Sequence, residues 1–266
     1  MVLHLIGLGV GNYKNLTLSG LDAIKKSEVY LENYTAVIPS VEEFEDFIGK
    51  KITLLNREDV EKKADDIIEE AKKKDVAFIV VGDVFSATTH IDFYSRCLGK
   101  VVVKIYNNAS VLNAIGNTGL DLYKFGRTTS LVFDWLPESP YKAIEDNRSI
   151  GLHTLCLLDI KTAEPSKENL RKGIDKPEPP RFMTVAEAVD ILLKMEENFK
   201  RGVIKKNMYA VGVARLGYDD ELVVFDTLEN LKNYDFGEPM HSLVIPGSMN
   251  HFEKDVVKKI SHHNIY

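Results

Sequence analysis

Short apolar runs alternate with amphipathic stretches along the first part of the chain. The runs with strand character cover residues 2–9, 27–35, 76–83 and 100–107. Stretches with helical spacing lie between them at about 18–26, 39–48, 57–74 and 89–98. Strands that alternate with helices of this length predict a mostly parallel α/β sheet.

A second series of strands begins after a predicted helix at 109–117. Its apolar runs cover 129–133, 151–160, 208–216, 221–225 and 241–247, and helical stretches lie at 139–148, 185–200 and 250–260. The turn sequence GYDD, residues 217–220, joins two of these runs and indicates an antiparallel hairpin. We therefore expect two α/β domains, residues 1–109 and 110–266, the second with a mixed sheet.

One segment of the second domain shows neither a strand pattern nor a helical pattern. Residues 162–183 contain four prolines and many charges, and they stop where Thr184 and Glu187 form a capping-box sequence. Loops of this length in compact domains are usually functional or mobile. We therefore expect an inserted loop near the entrance to a binding site.

Composition is typical of a globular protein with more than one core. The chain has 266 residues, of which 44% are apolar and 28% are charged. A net charge of −6 argues against a nucleic-acid surface, and no apolar run approaches the roughly 20 residues that span a membrane. The start lacks a secretory signal, and Cys97 and Cys156 lie too far apart for a paired-cysteine metal or redox motif. These features predict a cytoplasmic protein with two buried, reduced thiols.

The glycines of Gly7-Leu8-Gly9-Val10-Gly11 follow the first strand and invite a dinucleotide-binding interpretation. Glu32, at the end of the next strand, even occupies the place of a ribose-binding acid. However, Asn12 stands where the third glycine belongs, and the helical pattern starts only near Thr17. The glycines instead indicate a close backbone approach, to a ligand or in a plain turn.

Gly82-Asp83 ends the third strand in the same manner. Ligands of parallel sheets bind beyond the carboxyl ends of the strands, so Asp83 is placed to meet one. The alternative is that Asp83 or Thr89 merely caps the following helix. Three other predicted strands also end in polar residues or glycine, and a binding cleft would bring these ends together. They are Asn107-Asn108-Ala109-Ser110, Leu158-Asp159 and Arg215-Leu216-Gly217.

No set of residues for hydrolysis or for nucleophilic catalysis assembles from the remainder. The sequence lacks G-x-S-x-G, H-E-x-x-H and a P-loop lysine, and its histidines are scattered. A reaction that depends mainly on the positioning of its reactants therefore fits this sequence better than a reaction that needs a catalytic triad.

Several motifs resemble the diphthine synthase family, a branch of the tetrapyrrole-methylase type of S-adenosylmethionine-dependent methyltransferases. They include GD-x-x-x-ATTH from Gly82, NASVLNAIGNTGLDLYKFG from Asn108, GLHTLCLLDIK from Gly151 and EPPRFMTV from Glu178. The similarity runs over nearly the whole chain, and the inserted loop is similar to that of eukaryotic members.

The resemblance implies two α/β domains with S-adenosylmethionine in the cleft between them, and a homodimer. It also implies elongation factor 2 as the protein substrate, on which a 3-amino-3-carboxypropyl-histidine receives successive methyl groups, with a methyl ester step in eukaryotic members. By position in the family motifs, the cofactor contacts fall on Val10, Asp83, Ser86, Ser110, Val111, Leu158, Leu216 and His241.

The sequence departs from the family pattern at a few of these positions. Val84 replaces a common proline, and Ser86 replaces a small apolar residue or glycine. None of these replacements removes a group that methyl transfer obviously needs. The side chains that could accept a proton from the acceptor amine are Asp83 and His241. Two alternatives remain open from the sequence: a methyltransferase acting on a tetrapyrrole, and a non-catalytic module that binds the cofactor or docks a protein.

Overall fold

The computed structural model describes residues 1–36, 40–161 and 179–263. Contacts group the chain into two compact units, Met1–Ala114 and Ile115–Tyr266. The domain limit predicted from the sequence, between residues 109 and 110, falls just before the last short helix of the first unit.

The first unit is a five-stranded parallel sheet with helices between its strands. The sheet order is β3-β2-β4-β1-β5, and every pairing is parallel. Its elements are β1 (Val2–Gly7), α1 (Leu18–Lys26), β2 (Glu28–Glu32), α2 (Val41–Ile48), β3 (Thr53–Leu55), α3 (Arg57–Ala71), β4 (Val76–Val80), α4 (Ile91–Cys97), β5 (Val102–Tyr106) and α5 (Val111–Ala114). The predicted parallel α/β sheet is confirmed.

Local chemistry explains where these elements begin and how they pack. Thr17 caps α1, because its hydroxyl accepts the Gly20 N–H at 3.1 Å, so this helix begins well after the glycines. Every residue of β4 is buried, as expected of a central strand covered by helices on both faces. Strand β3 was not predicted from the sequence, because three residues at a sheet edge are too few to show a period.

The second unit is built on a five-stranded mixed sheet of order β11-β10-β12-β7-β6. Its elements are β6 (Thr129–Leu131), α6 (Glu138–Ser149), β7 (Thr154–Leu158), β8 (Ile160–Lys161), β9 (Arg181–Phe182), α7 (Val185–Phe199), β10 (Tyr209–Ala214), β11 (Leu222–Thr227), α8 (Leu228–Leu231), β12 (His241–Ile245) and α9 (His251–His263). The predicted hairpin is confirmed, since β10 and β11 pair antiparallel from Tyr209↔Thr227 to Ala214↔Leu222. The predicted helix at 109–117 is shorter: α5 gives way to a 3-10 turn at Ile115–Thr118.

The described ends of the predicted insertion pair with each other. Strands β8 and β9 form a small antiparallel ladder, Ile160↔Phe182 and Lys161↔Arg181. The capping box that follows is confirmed, because the Thr184 hydroxyl accepts the Glu187 N–H and the Glu187 carboxylate accepts the Thr184 N–H. The rest of the predicted loop, residues 162–178, lies outside the described residues.

Both cysteines are free and buried, as predicted. Burial raises the pKa of Cys97 to about 11 and that of Cys156 to about 12, so both thiols stay protonated and unreactive near neutral pH. Among the helices that the structure describes, none is long and apolar enough to cross a bilayer.

A buried polar network anchors the last helix of the second unit. The fully buried His153 contacts a Glu253 oxygen through Nε2 at 2.8 Å, and its Nδ1 accepts the Gly247 N–H at 3.0 Å. The Lys124 ammonium donates to the other Glu253 oxygen at 2.5 Å. Burial opposes ionisation of Glu253, but hydrogen bonds from Lys124, the Asn250 N–H, His153 and the Asp121 N–H lower its pKa to about 2.

Replacing Glu253 should therefore destabilise the protein in a pH-dependent manner. The Glu253 pKa is about 2, below its ordinary 4.5, so its stabilisation is complete above pH 4.5 and is lost as pH falls towards 2. We expect Glu253→Gln to lower the free energy of unfolding by about 1–3 kcal/mol at pH 7, and by less at pH 3. Denaturant unfolding at both pH values measures this difference.

The matched control is Asp255→Asn in the same helix. Asp255 is exposed and pairs with Lys259, so its loss should change the free energy of unfolding by no more than about 0.5 kcal/mol. A Glu253→Gln protein as stable as this control at pH 7 would contradict the role of the network.

Candidate functional site

Three loops meet at the carboxyl edge of the first sheet. Strand β1 lies between β4 and β5, with Gly7 opposite Val80 and Ile6 opposite Tyr106. Because parallel strands end at the same edge, this order brings together residues 8–11, 82–86 and 107–110. The predicted contacts Val10, Asp83, Ser86, Ser110 and Val111 all fall on these loops or on the helix turn that follows.

Glycines let two of these loops approach each other closely. Gly9 and Gly82 exchange backbone hydrogen bonds of 2.9 and 3.0 Å, and both have φ values in the left-handed region, +89° and +81°. A Cβ atom on Gly7 would lie 2.7 Å from the Gly82 carbonyl oxygen. The glycine-rich start of the chain thus fixes a backbone crossing between β1 and β4, and α1 begins too late to present its N-terminus there.

Asp83 binds two of the loops to each other. Its Oδ1 accepts the Phe85 N–H at 3.0 Å and the Ser86 hydroxyl at 3.1 Å. Its Oδ2 accepts the Asn107 side-chain amide and the Asn108 N–H, both at 3.0 Å. Burial would raise the pKa of Asp83, but these four donors lower it overall, so the carboxylate is ionised near neutral pH.

The interpretation of Asp83 or Thr89 as a helix cap is wrong. Helix α4 begins at Ile91, its N-cap residue is His90, and no side chain caps it. Asp83 instead shapes a turn within its own loop.

Asn108 joins the same loops through its side chain. Its amide nitrogen donates to the Gly7 and Asn15 carbonyl oxygens, both at 3.0 Å, and its Oδ1 accepts the Ala109 N–H at 2.8 Å. Asn15 in turn donates to the Val10 carbonyl oxygen at 2.5 Å. The sequence placed Asn108 at a strand end but gave no sign of these bonds, because residues 7 and 15 meet it only through the sheet order.

Serine hydroxyls add polar groups at the two flanks of this edge. Ser110 is buried, and its Oγ accepts the Leu112 N–H at 3.2 Å, at the start of the turn that contains Val111. Ser86 is half-buried and is oriented by Asp83. A ligand at this edge would therefore meet mainly backbone groups and short hydroxylated side chains.

The remaining predicted contacts lie at one edge of the second sheet. Leu158 ends β7 opposite Leu131 of β6, and His241 begins β12 opposite Ala214, the last residue of β10. Leu216 lies two residues beyond Ala214. The sheet thus collects Leu158, Leu216 and His241 at the same edge of the second unit.

Both ring nitrogens of His241 form hydrogen bonds within the second unit. Its Nε2 lies 3.2 and 3.0 Å from the carbonyl oxygens of Gly237 and Glu238, and its Nδ1 accepts the Val185 N–H at 3.4 Å. Burial is the main cause of its lowered pKa, so the ring is neutral near pH 7. With Nε2–H donating and Nδ1 accepting, the ring joins the start of α7 to the loop before β12.

Arg215 fixes the segment that carries Leu216. Its backbone has a left-handed φ of +49°, its N–H donates to the Met240 carbonyl oxygen at 2.8 Å, and its guanidinium binds Asp220 at 2.6 Å. The same guanidinium donates to the Phe236 and Glu238 carbonyl oxygens at 2.7 and 2.6 Å. The turn that was predicted from glycine and aspartate is thus held by an arginine.

Hydrogen-bonded loops form both edges, and Asp83 and His241, the predicted contacts with an acidic or basic side chain, are both hydrogen-bonded within the protein. Across the described ranges, no group of three or more His, Cys, Asp or Glu residues could hold a metal ion. Such edges can bind and orient a small polar ligand. Catalysis there would depend on alignment of the reacting groups.

A family comparison agrees with this architecture of two α/β units. The family model described as Tetrapyrrole (Corrin/Porphyrin) Methylases matches residues 2–232. The chain belongs to this family and is a methyltransferase.

Comparison with individual relatives shows which methyltransferases of this family the chain is similar to. The diphthine methyl ester synthase of Homo sapiens is 46% identical over 94% of this chain and 91% of its own. That of Saccharomyces cerevisiae is 48% identical over 94% and 86%. A crystal structure of diphthine synthase superimposes with a TM-score of 0.84 at 35% identity, covering 98% of this chain and 96% of that one. The resemblance to diphthine synthases found from the sequence is confirmed.

The close approach at Gly7 leads to a test of the loop crossing. Gly7→Ala would place a methyl group against the Gly82 carbonyl, so we expect a loss of about 1–3 kcal/mol in the free energy of unfolding. Gly116→Ala is the control, since its Cβ would meet only Leu122 side-chain atoms at 3.3 Å and beyond. Equal stability of the two variants in denaturant unfolding would show that the crossing is not tightly packed.

Proposed function

We propose that this protein is an S-adenosylmethionine-dependent methyltransferase of diphthamide biosynthesis. It methylates the amino nitrogen of the 3-amino-3-carboxypropyl-histidine of elongation factor 2 in successive steps and then forms the methyl ester. The observation that carries the proposal is near-full-length similarity to diphthine methyl ester synthases at 46–48% identity.

The residues at the two sheet edges fit this cofactor. S-adenosylmethionine presents hydroxyls, an amine, a carboxylate and a purine, and these match backbone N–H and C=O groups and serine hydroxyls. Space for a ligand is available beside Gly82, because a Cβ there would meet its nearest atom, the Ser110 Cβ, only at 3.7 Å. Val10, Asp83, Ser86, Ser110 and Val111 of the first unit, and Leu158, Leu216 and His241 of the second, remain the proposed contacts.

The cofactor supplies an activated methyl group on a sulfonium. The task of the chain is then to align the acceptor nitrogen, or later the carboxylate oxygen, behind the methyl carbon and to exclude water. Small residues favour repeated methylation, because they leave room around a nitrogen that grows at each step. Ser86, Ala87 and Ala109 are such residues at the first edge.

The acceptor amine must lose a proton before it attacks. The lowered pKa of Asp83 makes it a weak base, and all of its acceptor positions meet protein donors. Neither ring nitrogen of His241 has a lone pair available, because Nδ1 accepts a hydrogen bond and Nε2–H donates. We therefore assign proton removal to solvent and treat both residues as positioning groups.

The family resemblance also supports the remaining parts of the proposal. The protein would act as a homodimer in the cytoplasm, with elongation factor 2 as its macromolecular partner and no role for nucleic acid or membrane. Methylation of a tetrapyrrole, as the family description suggests, is the second candidate. A non-catalytic binding module, the other alternative that the sequence left open, is not favoured, because the chain belongs to a family of methyltransferases.

Mass spectrometry of elongation factor 2 tests the proposal. The factor carrying the unmethylated histidine adduct is incubated with this protein and S-adenosylmethionine. We expect mass gains in methyl steps, the last of them removed by mild base because it is an ester. Methylation of uroporphyrinogen without any gain on elongation factor 2 would favour the tetrapyrrole candidate, and cofactor binding without any gain on either substrate would contradict both.

Asp83→Ala tests the site itself. Removing the carboxylate leaves four donors without their acceptor and frees the loop that holds Ser86, so S-adenosylmethionine binding should weaken by about 1–3 kcal/mol. Calorimetry measures the dissociation constant, with Asp65→Ala, an exposed carboxylate of α3, as the control. An affinity equal to that of the wild type would place the cofactor elsewhere.

A further inference from the structure

Glu32 is a fully buried carboxyl group that the proposed chemistry does not use. It ends β2, and its exposed fraction is 0%. Its Oε2 accepts the N–H groups of Tyr34 and Thr35 at 3.3 and 3.2 Å, and its Oε1 accepts the Thr35 hydroxyl. These bonds fix the backbone that carries Tyr34, beside the 82–89 loop, whose first residue, Gly82, is held by its hydrogen bonds with Gly9.

Tyr34 holds the other end of the same loop. Its hydroxyl lies 3.1 Å from Nε2 of the buried His90, which follows Thr89 directly. The ring of His90 also packs edge-on against Phe78 of β4. Glu32 therefore acts on the His90 end of the 82–89 loop through Tyr34.

The loop between these contacts has a conformation that needs support. Ala87 has a φ of +60°, a left-handed value that is strained for a residue other than glycine. Within the loop, the Thr88 hydroxyl donates to the Val84 carbonyl oxygen at 3.3 Å and accepts the His90 N–H at 3.0 Å. Such a loop keeps one shape only when its two ends are fixed.

Strand β4 is held independently of these contacts. Residues 76–80 pair with β1 on one side and β2 on the other. Loss of the contact at His90 would therefore release that end of the loop while the sheet stays intact. The loop carries Asp83 and Ser86, two of the proposed cofactor contacts.

We propose that Glu32 and Tyr34 are positioning residues that form a clamp on the His90 end of the 82–89 loop and so help to hold Asp83 and Ser86 ready for the cofactor. This inference rests on the proposed function, because it concerns the same binding edge. Preorganised binding groups avoid the entropy cost of ordering a loop when the ligand arrives. The clamp thus acts on affinity without touching the cofactor.

The test compares two clamp variants with a destabilised control. Tyr34→Phe removes one hydroxyl and keeps the ring, and Glu32→Gln keeps the shape of the side chain but turns an acceptor into a donor. Val29→Ala is the control, since Val29 is buried in the same strand and pairs with Ala77, away from the loop. The dissociation constant for S-adenosylmethionine and the melting temperature are measured for each.

We expect Tyr34→Phe to raise the dissociation constant roughly threefold to tenfold with a melting temperature within a few degrees of the wild type. Glu32→Gln should raise it at least as much. Val29→Ala should lower the melting temperature while leaving the dissociation constant unchanged. The double clamp variant should lose less affinity than the sum of the single losses, because both residues act through the same contact with His90.

Hydrogen exchange gives a readout that does not depend on activity. In the clamp variants the amides of residues 83–89 should exchange faster, while those of residues 76–80 exchange as in the wild type. Unchanged affinity in both clamp variants, or an equal loss of affinity in Val29→Ala, would overturn the inference. Failure of the proposed function looks different, because the wild type itself would then bind no S-adenosylmethionine.

Discussion

The buried carboxylate of Asp83 is the interaction on which the first carboxyl edge depends. It collects two donors from its own loop and two from residues 107 and 108, so it joins the ends of β4 and β5 across the end of β1. A buried charge without such donors would be strongly unfavourable, and the loops adopt the shape that supplies them. The backbone crossing of Gly9 with Gly82 and the amide of Asn108 then complete a rigid edge.

The same satisfied hydrogen bonding limits what chemistry the site can perform. At the two edges, hydrogen-bond donors keep the Asp83 carboxylate ionised, and burial keeps the His241 ring neutral. Neither side chain could act as the strong base that some reactions need. Methyl transfer from a sulfonium needs alignment and exclusion of water instead, and rigid loops supply both.

The second unit shows how much of the fold lies beyond the family signature. The family model ends at residue 232, yet β12 follows it and occupies the centre of the sheet, between β10 and β7. The next helix, α9, is anchored through Glu253 to the buried His153. The last 30 or so residues are therefore integral to the unit: they provide a central strand, the ring of His241 and a buried ion-pair network.

The sequence by itself determined the elements, the two successive sheets and the family. Hydrophobic periods and capping residues such as Thr17 and Thr184 act over a few neighbouring positions, so they can be read along the chain. Short strands such as β3 were not predicted, because three residues are too few to show an alternation of apolar and polar positions. Only the tertiary structure decided that Asn108 would reach Gly7 and Asn15, and that Tyr34 would reach His90. These contacts join residues far apart in the chain, and the order of strands in the sheet alone brings them within hydrogen-bonding distance.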